Sequence, residues 1–240
     1  MSGRGFGRRL RRWVLFAILG WLTVTIVPVL LLRWLDPVTS AFMIEARLGA
    51  LRAGERSYRT DYRWVSLERI SPGAAMAVIA SEDQTFPYNY GFDIKSIRSA
   101  VRAAQHGARL RGASTISQQV ARNLFLWPGR SFVRKGIEAY ITVLLEALWP
   151  KERILEMYLN IAQFGDGIYG VEAAARRFYH EPAARLSASQ AALLAAVLPD
   201  PMHWHVLRPS RFLAWKQQWI LGQMRNLGGT AYLREVKRSP

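Results

Sequence analysis

Between Trp13 and Leu32 the chain reads WVLFAILGWLTVTIVPVLLL, twenty residues without a charge. At about 1.5 Å per helical residue such a run spans about 30 Å, the thickness of bilayer hydrocarbon. The competing reading is a buried core helix, and an uncharged run of this length beside the N-terminus weighs against it. Pro28 is tolerated in a membrane helix. Arg4, Arg8, Arg9, Arg11 and Arg12 precede the run, and only Arg33 and Asp36 follow closely. Positive charge stays on the cytoplasmic side, so the pattern predicts a cytoplasmic N-terminus and export of everything after it. A cleaved signal peptide would have a shorter apolar core, about 7–15 residues, and a small-residue cleavage site. The expectation is a cytoplasmic Arg-rich tail over 1–12, a signal anchor over 13–32, a connector over 33–64 and one domain over 65–240.

Lys and Arg number 33 against 17 Asp and Glu, a net charge of +16. Even without the five N-terminal arginines the remainder is basic, which suits phosphate-bearing partners. Export leaves membrane lipids and phosphorylated substrates as those partners, and no nucleic acid. A hydrophobic share of 50% with 12% aromatics excludes a disordered chain. With no Cys, disulfide scaffolds, Cys-ligated metal centres and a thiol nucleophile are excluded too. There is no GxxxxGK, HExxH, GxSxG or Ser-x-x-Lys. His106, His180, His203 and His205 lack helical metal spacing. Gly165-x-Gly167-x-x-Gly170 follows a helical pattern rather than a strand, so it reads as a tight loop and not a dinucleotide fingerprint.

Helix signals dominate from residue 70. Ser71-Pro72 starts GAAMAVIAS; Asp93 caps IKSIRSAVRAAQ, which stops at Gly107; Ser114 caps TISQQVARNLF. Ser131 caps a long apolar helix ending at Pro150, and 151–161 has one apolar face. Gly170 opens VEAAARRFY, Ser187-x-x-Gln190 forms a capping box, and Ser210 starts a last helix. Tyr58–Ser66 could be extended, but no alternating strand stands out. The domain is expected to be mainly or entirely α.

The chemistry concentrates between residues 82 and 138. Glu82-Asp83 leaves an apolar helix and meets Phe86. A carboxylate so placed is partly desolvated, which moves it toward the range of a general base. The plainer reading, a solvated acidic last turn, sits badly with the helix dipole. Thr115, Gln119, Arg122 and Asn123 recur on one helical face and suit sugar hydroxyls and phosphate, or simply form a hydrated surface. Arg134 and Glu138 are i, i+4 neighbours beside Lys135. Alone they read as a surface ion pair; beside the other two clusters they read as a phosphate clamp balanced by a carboxylate. Leu124-Phe-Leu-Trp127 is an apolar run that is either core or lipid-facing.

Five motifs stand in order: Glu82-Asp-x-x-Phe-x-x-x-x-Gly-x-Asp93, Gly112-Ala-Ser-Thr-Ile-Ser-Gln-Gln119, Arg134-Lys-x-x-Glu138, Lys151-x-x-Ile-Leu-Glu-x-Tyr-Leu-Asn160 and Gly170-Val-x-Ala-Ala174. Over about residues 65–205 the chain resembles the family-51 glycosyltransferases, the peptidoglycan polymerases. Its size and missing Ser-x-x-Lys match the monofunctional members. Asn89 stands where the family usually has His, and Arg122 where it usually has Lys. The resemblance implies a lysozyme-like, mainly α domain with a membrane-dipping jaw. The domain would lie on the periplasmic face of a bacterial inner membrane, behind a single transmembrane helix. It implies lipid II and the nascent glycan strand as substrates, the bilayer as partner, and proteins of division or elongation as further candidates. Glu82 and Glu138 would be catalytic, with Glu82 the general base. Asp83, Phe86, Asn89, Ser114, Thr115, Gln118, Gln119, Arg122, Asn123, Arg134 and Lys135 would bind substrate. No cofactor is required, although a divalent cation, Mg or Mn, could assist at the pyrophosphate near Glu138. Two other classes stay open: a lysozyme-like lytic muramidase, and an inactive membrane-anchored scaffold. The muramidase needs no phosphate clamp; the scaffold has no need to keep Glu82 or Glu138.

Overall fold

The apolar run forms a single helix, α1 (Gly3–Leu32), which continues back through the Arg-rich segment rather than starting at Trp13. A computed structural model describes residues 3–105, 114–129 and 131–239. The expected stop at Gly107, His106 and the Gly112-Ala113 start of the second motif lie outside the described residues. Within α1, Arg11–Leu32 is apolar and long enough to cross a bilayer. Trp13, Phe16 and Trp21 are each more than half exposed, as side chains facing lipid would be.

Met1–Pro37 and Val38–Pro240 form two separate compact units. Residues 38–64, expected as a connector, belong to the second unit. There α2 (Ala41–Arg52) buries Met43 and Ala50 and packs on α5 (Ile116–Phe125). The Asn160 side-chain amide clamps Val65 in both directions, at 2.9 Å each way.

Two helices apolar all round form the centre: α3 (Pro72–Glu82) and α9 (Ala188–Val197), whose alanines allow close approach. α10 (Arg211–Asn226) covers both. A second layer joins α5 to α6 (Phe132–Leu148) and α7 (Lys151–Ile161). α4 (Ile94–Gln105), α8 (Val171–Tyr179) and α11 (Leu233–Arg238) complete the described helices.

Ser131, Ser187 and Ser210 cap their helices as expected, each accepting a backbone N–H three residues on. Asp93 accepts from Ser96 N at 2.9 Å. Two caps differ. Ser71 donates its hydroxyl to Leu186 O at 2.8 Å instead of capping α3. The cap of α5 is Thr115, not Ser114, because Gln118 sits three residues after Thr115 and closes a capping box.

Among the described residues three short strands form a sheet: β1 (Asp61–Tyr62), β2 (Gln163–Gly165) and β3 (Ile168–Tyr169), in the order β1-β3-β2, the last two in sequence being unexpected. β1 lies in the stretch read as extended and runs parallel to β3. β2 and β3 are antiparallel; of the Gly165–Gly170 stretch expected as a tight loop, only Asp166-Gly167 is their turn, while Ile168 and Tyr169 form β3. Strands of two or three residues are too short to show alternation.

Candidate active site

α3 delivers Glu82 as its last residue, at the mouth of a cleft of about 310 Å³. Asp93, Ser96, Ser114 and Thr115 line the same cleft. A carboxylate at a helix C-terminus faces the negative end of the dipole, so it needs donors. Glu82 Oε2 accepts from Gln119 Nε2 at 2.9 Å, and Oε1 accepts from Ser81 Oγ at 3.2 Å. Gln119 is held in turn: Tyr158 Oη donates to its Oε1 at 3.2 Å. Burial, and secondarily the charge of Glu82, push the Tyr158 hydroxyl well above its ordinary pKa, so it remains a donor. With its oxygen engaged by Tyr158, the Gln119 amide keeps its NH2 toward Glu82.

Asp83, the neighbouring acid, takes the desolvated position. It is 6% exposed, and burial raises its pKa against the opposing hydrogen bond from Asn89. Asn89 Nδ2 donates to Asp83 Oδ1 at 2.8 Å and Ile116 N to Oδ2 at 3.2 Å. Asn89 Oδ1 accepts from Gly91 N at 3.1 Å, and its carbonyl takes Lys151 Nζ at 2.5 Å. Lys151, 4% exposed, pairs with Glu146 at 2.7 Å and lies 4.7 Å from the Phe86 ring centroid. Burial lowers its pKa, with Glu146 opposing. Ser117 Oγ donates to the same Glu146 carboxylate. This chain of polar groups ties the end of α3 to α5, α6 and α7. Gly91 fits between them because its φ is +80° and a Cβ there would lie 2.6 Å from Thr142 Cγ2.

On α6, Arg134 Nη1 meets Glu138 Oε2 at 2.9 Å, and Lys135 Nζ meets Oε1. The Arg134 and Glu138 side chains are 9% and 3% exposed, whereas Lys135 is 47% exposed. The plain surface ion pair is therefore excluded. Arg134 Nε is buried and has no hydrogen-bond partner among the described residues. An unmet buried donor costs about 1–3 kcal/mol. Two cations thus share one buried carboxylate, and of the two only Lys135 is open to the outside. Both Glu138 oxygens are occupied, and no group of three or more His, Asp or Glu side chains suited to a metal exists among the described residues. The residues present do not fit a divalent cation held by protein ligands.

Several residues expected to touch substrate are engaged inside the protein, although two of them, Asp83 and Thr115, also line the cleft. Phe86 is fully buried beneath Lys151. Asp83 and Asn89 belong to the internal network, and Thr115 and Gln118 cap α5, Thr115 also donating to Gly91 O at 2.7 Å. Asn123 is buried and accepts from Arg122 Nε at 3.0 Å, while Arg122 lies 5.7 Å from the Phe42 ring. The expected polar stripe is thus largely internal, because α5 is packed by α2, α6 and α7 at once. Leu124 and Leu126 are likewise core; Trp127 is half exposed, and Phe132 and Val133, next to Arg134, are strongly exposed. Glu82, Ser114 and Gln119 remain partly open, as does Lys135.

Lys151, Tyr158, Glu146 and Ser117 were not singled out by sequence. Glu146 had a signal, a lone acid within the apolar ITVLLEALW. Lys151 and Tyr158 stood in a motif without a role.

A sequence model of the transglycosylase family matches residues 50–225. Three curated proteins named biosynthetic peptidoglycan transglycosylase are similar along nearly their whole length. One from Cronobacter sakazakii is 52% identical over 229 residues, 95% of each chain. Another from Xanthomonas oryzae is 50% identical, covering 94% of this chain and 92% of its own. A third from Yersinia pestis is 49% identical, covering 97% and 96%.

Proposed function

The chain belongs to the transglycosylase family and is a peptidoglycan glycosyltransferase of cell-wall synthesis; we propose that it polymerises lipid II into β-1,4-linked glycan by an inverting displacement. Glu82 takes the proton of the acceptor sugar's 4-hydroxyl as that oxygen attacks the donor's anomeric carbon. The bond from that carbon to the lipid pyrophosphate breaks, and the electron pair leaves with the pyrophosphate. A single displacement turns the α-linked donor into a β-linkage. Gln119, held by Tyr158, keeps the Glu82 carboxylate aimed into the cleft. Arg134 and Lys135 receive the charge that grows on the leaving group. Glu138 holds both cations in place rather than exchanging a proton.

The observation that carries this reading is a half-exposed Lys135 that shares the buried Glu138 carboxylate with Arg134, two cations on one acid. Cleavage of an uncharged glycan develops no anionic leaving group that would need such a clamp. The five arginines ahead of the apolar helix support a cytoplasmic N-terminus, with the catalytic unit on the outer face of the bacterial cytoplasmic membrane.

Purified full-length protein incubated with lipid II separates the readings: polymer for the transferase, cleavage of added glycan for a muramidase, neither for a scaffold. Glu82→Gln should then fold normally and lose about 10²–10⁴-fold in turnover. Polymerisation at the unaltered rate in that variant would remove Glu82 from the base role.

A further inference from the structure

Past the last matched residue the chain turns back under the catalytic loop. α10 ends at Asn226, and Gly228 and Gly229 follow with φ of +92° and +65°, a reversal that side chains with a Cβ disfavour. The returning segment is a 3-10 turn over Gly229–Tyr232 followed by α11. Val236 of α11 is 2% exposed, α11 packs on α7 and α3, and Val236 and Leu233 border one small cavity with Leu67, Ile70 and Leu155. From this seat the segment touches the loop after Glu82 twice. Tyr232 Oη donates to Gln84 O at 2.8 Å, and its ring stands edge-on to Tyr88 at 6.2 Å. Ser239 Oγ lies 2.8 Å from Pro87 O, but it has one hydrogen to share with Glu235 O at the same distance. Tyr232 is therefore the stronger of the two ties.

Gln84 is not an ordinary loop residue. Its Nε2 donates to Ala80 O at 3.0 Å, one of the carbonyls that the last turn of α3 leaves unpaired, and to Gln223 Oε1 at 3.2 Å. That last turn carries Glu82, whose charge opposes the helix dipole and loosens the turn. Gln84 thus caps the turn bearing Glu82, and Tyr232 and Gln223 hold Gln84.

We propose that Tyr232 is a positioning residue for the glycosyl transfer, fastening the last turn of α3 through Gln84 and so fixing where the Glu82 carboxylate points. This rests on the reading of Glu82 as the base. Burial, with Tyr88 and Asp83 adding to it, pushes the Tyr232 hydroxyl up to about 12, so it donates at any working pH. The segment gives the enzyme an outside fastening for its catalytic turn, made by residues that never meet the substrate.

The test uses full-length Tyr232→Phe, which keeps the ring on Tyr88 and loses only the hydroxyl. Turnover of lipid II at saturation should fall about two- to tenfold, the worth of one hydrogen bond, with KM unchanged. Backbone amides of residues 82–86 should exchange hydrogen faster than in the unaltered protein. In a Glu82→Gln background the same substitution should cost nothing more, because the fastening acts through Glu82. A general folding defect would lower the residual rate there as well. Unchanged turnover with unchanged exchange, or an undiminished loss in the Glu82→Gln background, overturns the proposal. If Glu82→Gln itself turns over normally, the base reading fails on its own, and the exchange of residues 82–86 still decides whether the segment fastens that turn.

Discussion

Lys151→Met removes the one cation in the buried network and nearly keeps its volume. Lys151 is 4% exposed and makes three favourable contacts: Glu146 at 2.7 Å, the Asn89 carbonyl at 2.5 Å and the Phe86 ring at 4.7 Å. Its loss leaves Glu146 buried without a counter-charge and removes a charge that helps to hold Asp83 ionised. Removing one member of a buried pair costs about 3–5 kcal/mol, most of it the stranded partner. For a domain of this size that lowers the melting temperature by roughly 6–20 °C. The pH dependence has a definite sign. Asp83 already has a folded pKa above its ordinary value, so the fold favours its protonated form, and stability is lost as pH rises through the folded pKa. Without Lys151 that pKa rises further, so the variant should regain stability as pH falls from 7 toward the carboxylate range. Adding Glu146→Leu to Lys151→Met should recover much of the loss at pH 7 by leaving no stranded charge. Thermal unfolding of the detergent-solubilised full chain from pH 5 to 8 reads all three quantities. A deficit below about 1 kcal/mol at pH 7, or one that deepens on acidification, would refute the account of this network.

Gly91→Ala should destabilise by roughly 1–3 kcal/mol or more, since φ is +80° and the new Cβ would approach Thr142 Cγ2 at 2.6 Å and Glu146 Cγ at 2.9 Å; an unchanged melting temperature would show that α6 yields. Tyr158→Phe leaves the Gln119 oxygen without its donor and loosens the amide that holds Glu82, at a cost of about 1–3 kcal/mol for the unmet acceptor. Turnover should drop while the fold holds, and an unaltered kcat would mean that Gln119 is oriented by something else. Lys135→Ala removes a half-exposed cation and should leave the melting temperature nearly unchanged, yet slow lipid II polymerisation about tenfold or more. Full activity in that variant would count against the clamp.

The parts of the fold written in short-range chemistry were legible. α1 follows from an unbroken apolar run, and Ser131, Ser187 and Ser210 each announce a helix through an oxygen that accepts from the N–H three residues on. Ser114 and Thr115 could both cap α5; only the reciprocal bond from Gln118 decides. Glu82 and Asp83 looked equivalent as a pair, but α3 ends at Glu82 and the backbone leaves the helix at Asp83, with φ −159° and ψ 81°, which turns the second acid into the core. What was not legible spans long sequence separations. Gln119 meets Glu82 across 37 residues and Lys151 meets Asn89 across 62. The inward turn of Phe86, Gln118 and Asn123 follows from packing of α5 on several sides, which no single-helix pattern records. β1 joins β3 from more than a hundred residues away, as a strand of two residues.

The capping box of Thr115 and Gln118, and the buried Glu138 that balances Arg134, give the family's polar motifs a second employment: they hold the protein together. Selection for a well-folded chain would therefore preserve most of these letters even after turnover had stopped mattering. Glu82 is different, being half open to the cleft and bonded only to Ser81 and the Gln119 amide among the residues described. A gene duplicate could drift to Gln at that single codon and become an inert wall-machinery component, inheriting the shape, the apolar helix and the buried Arg134–Glu138 pair intact.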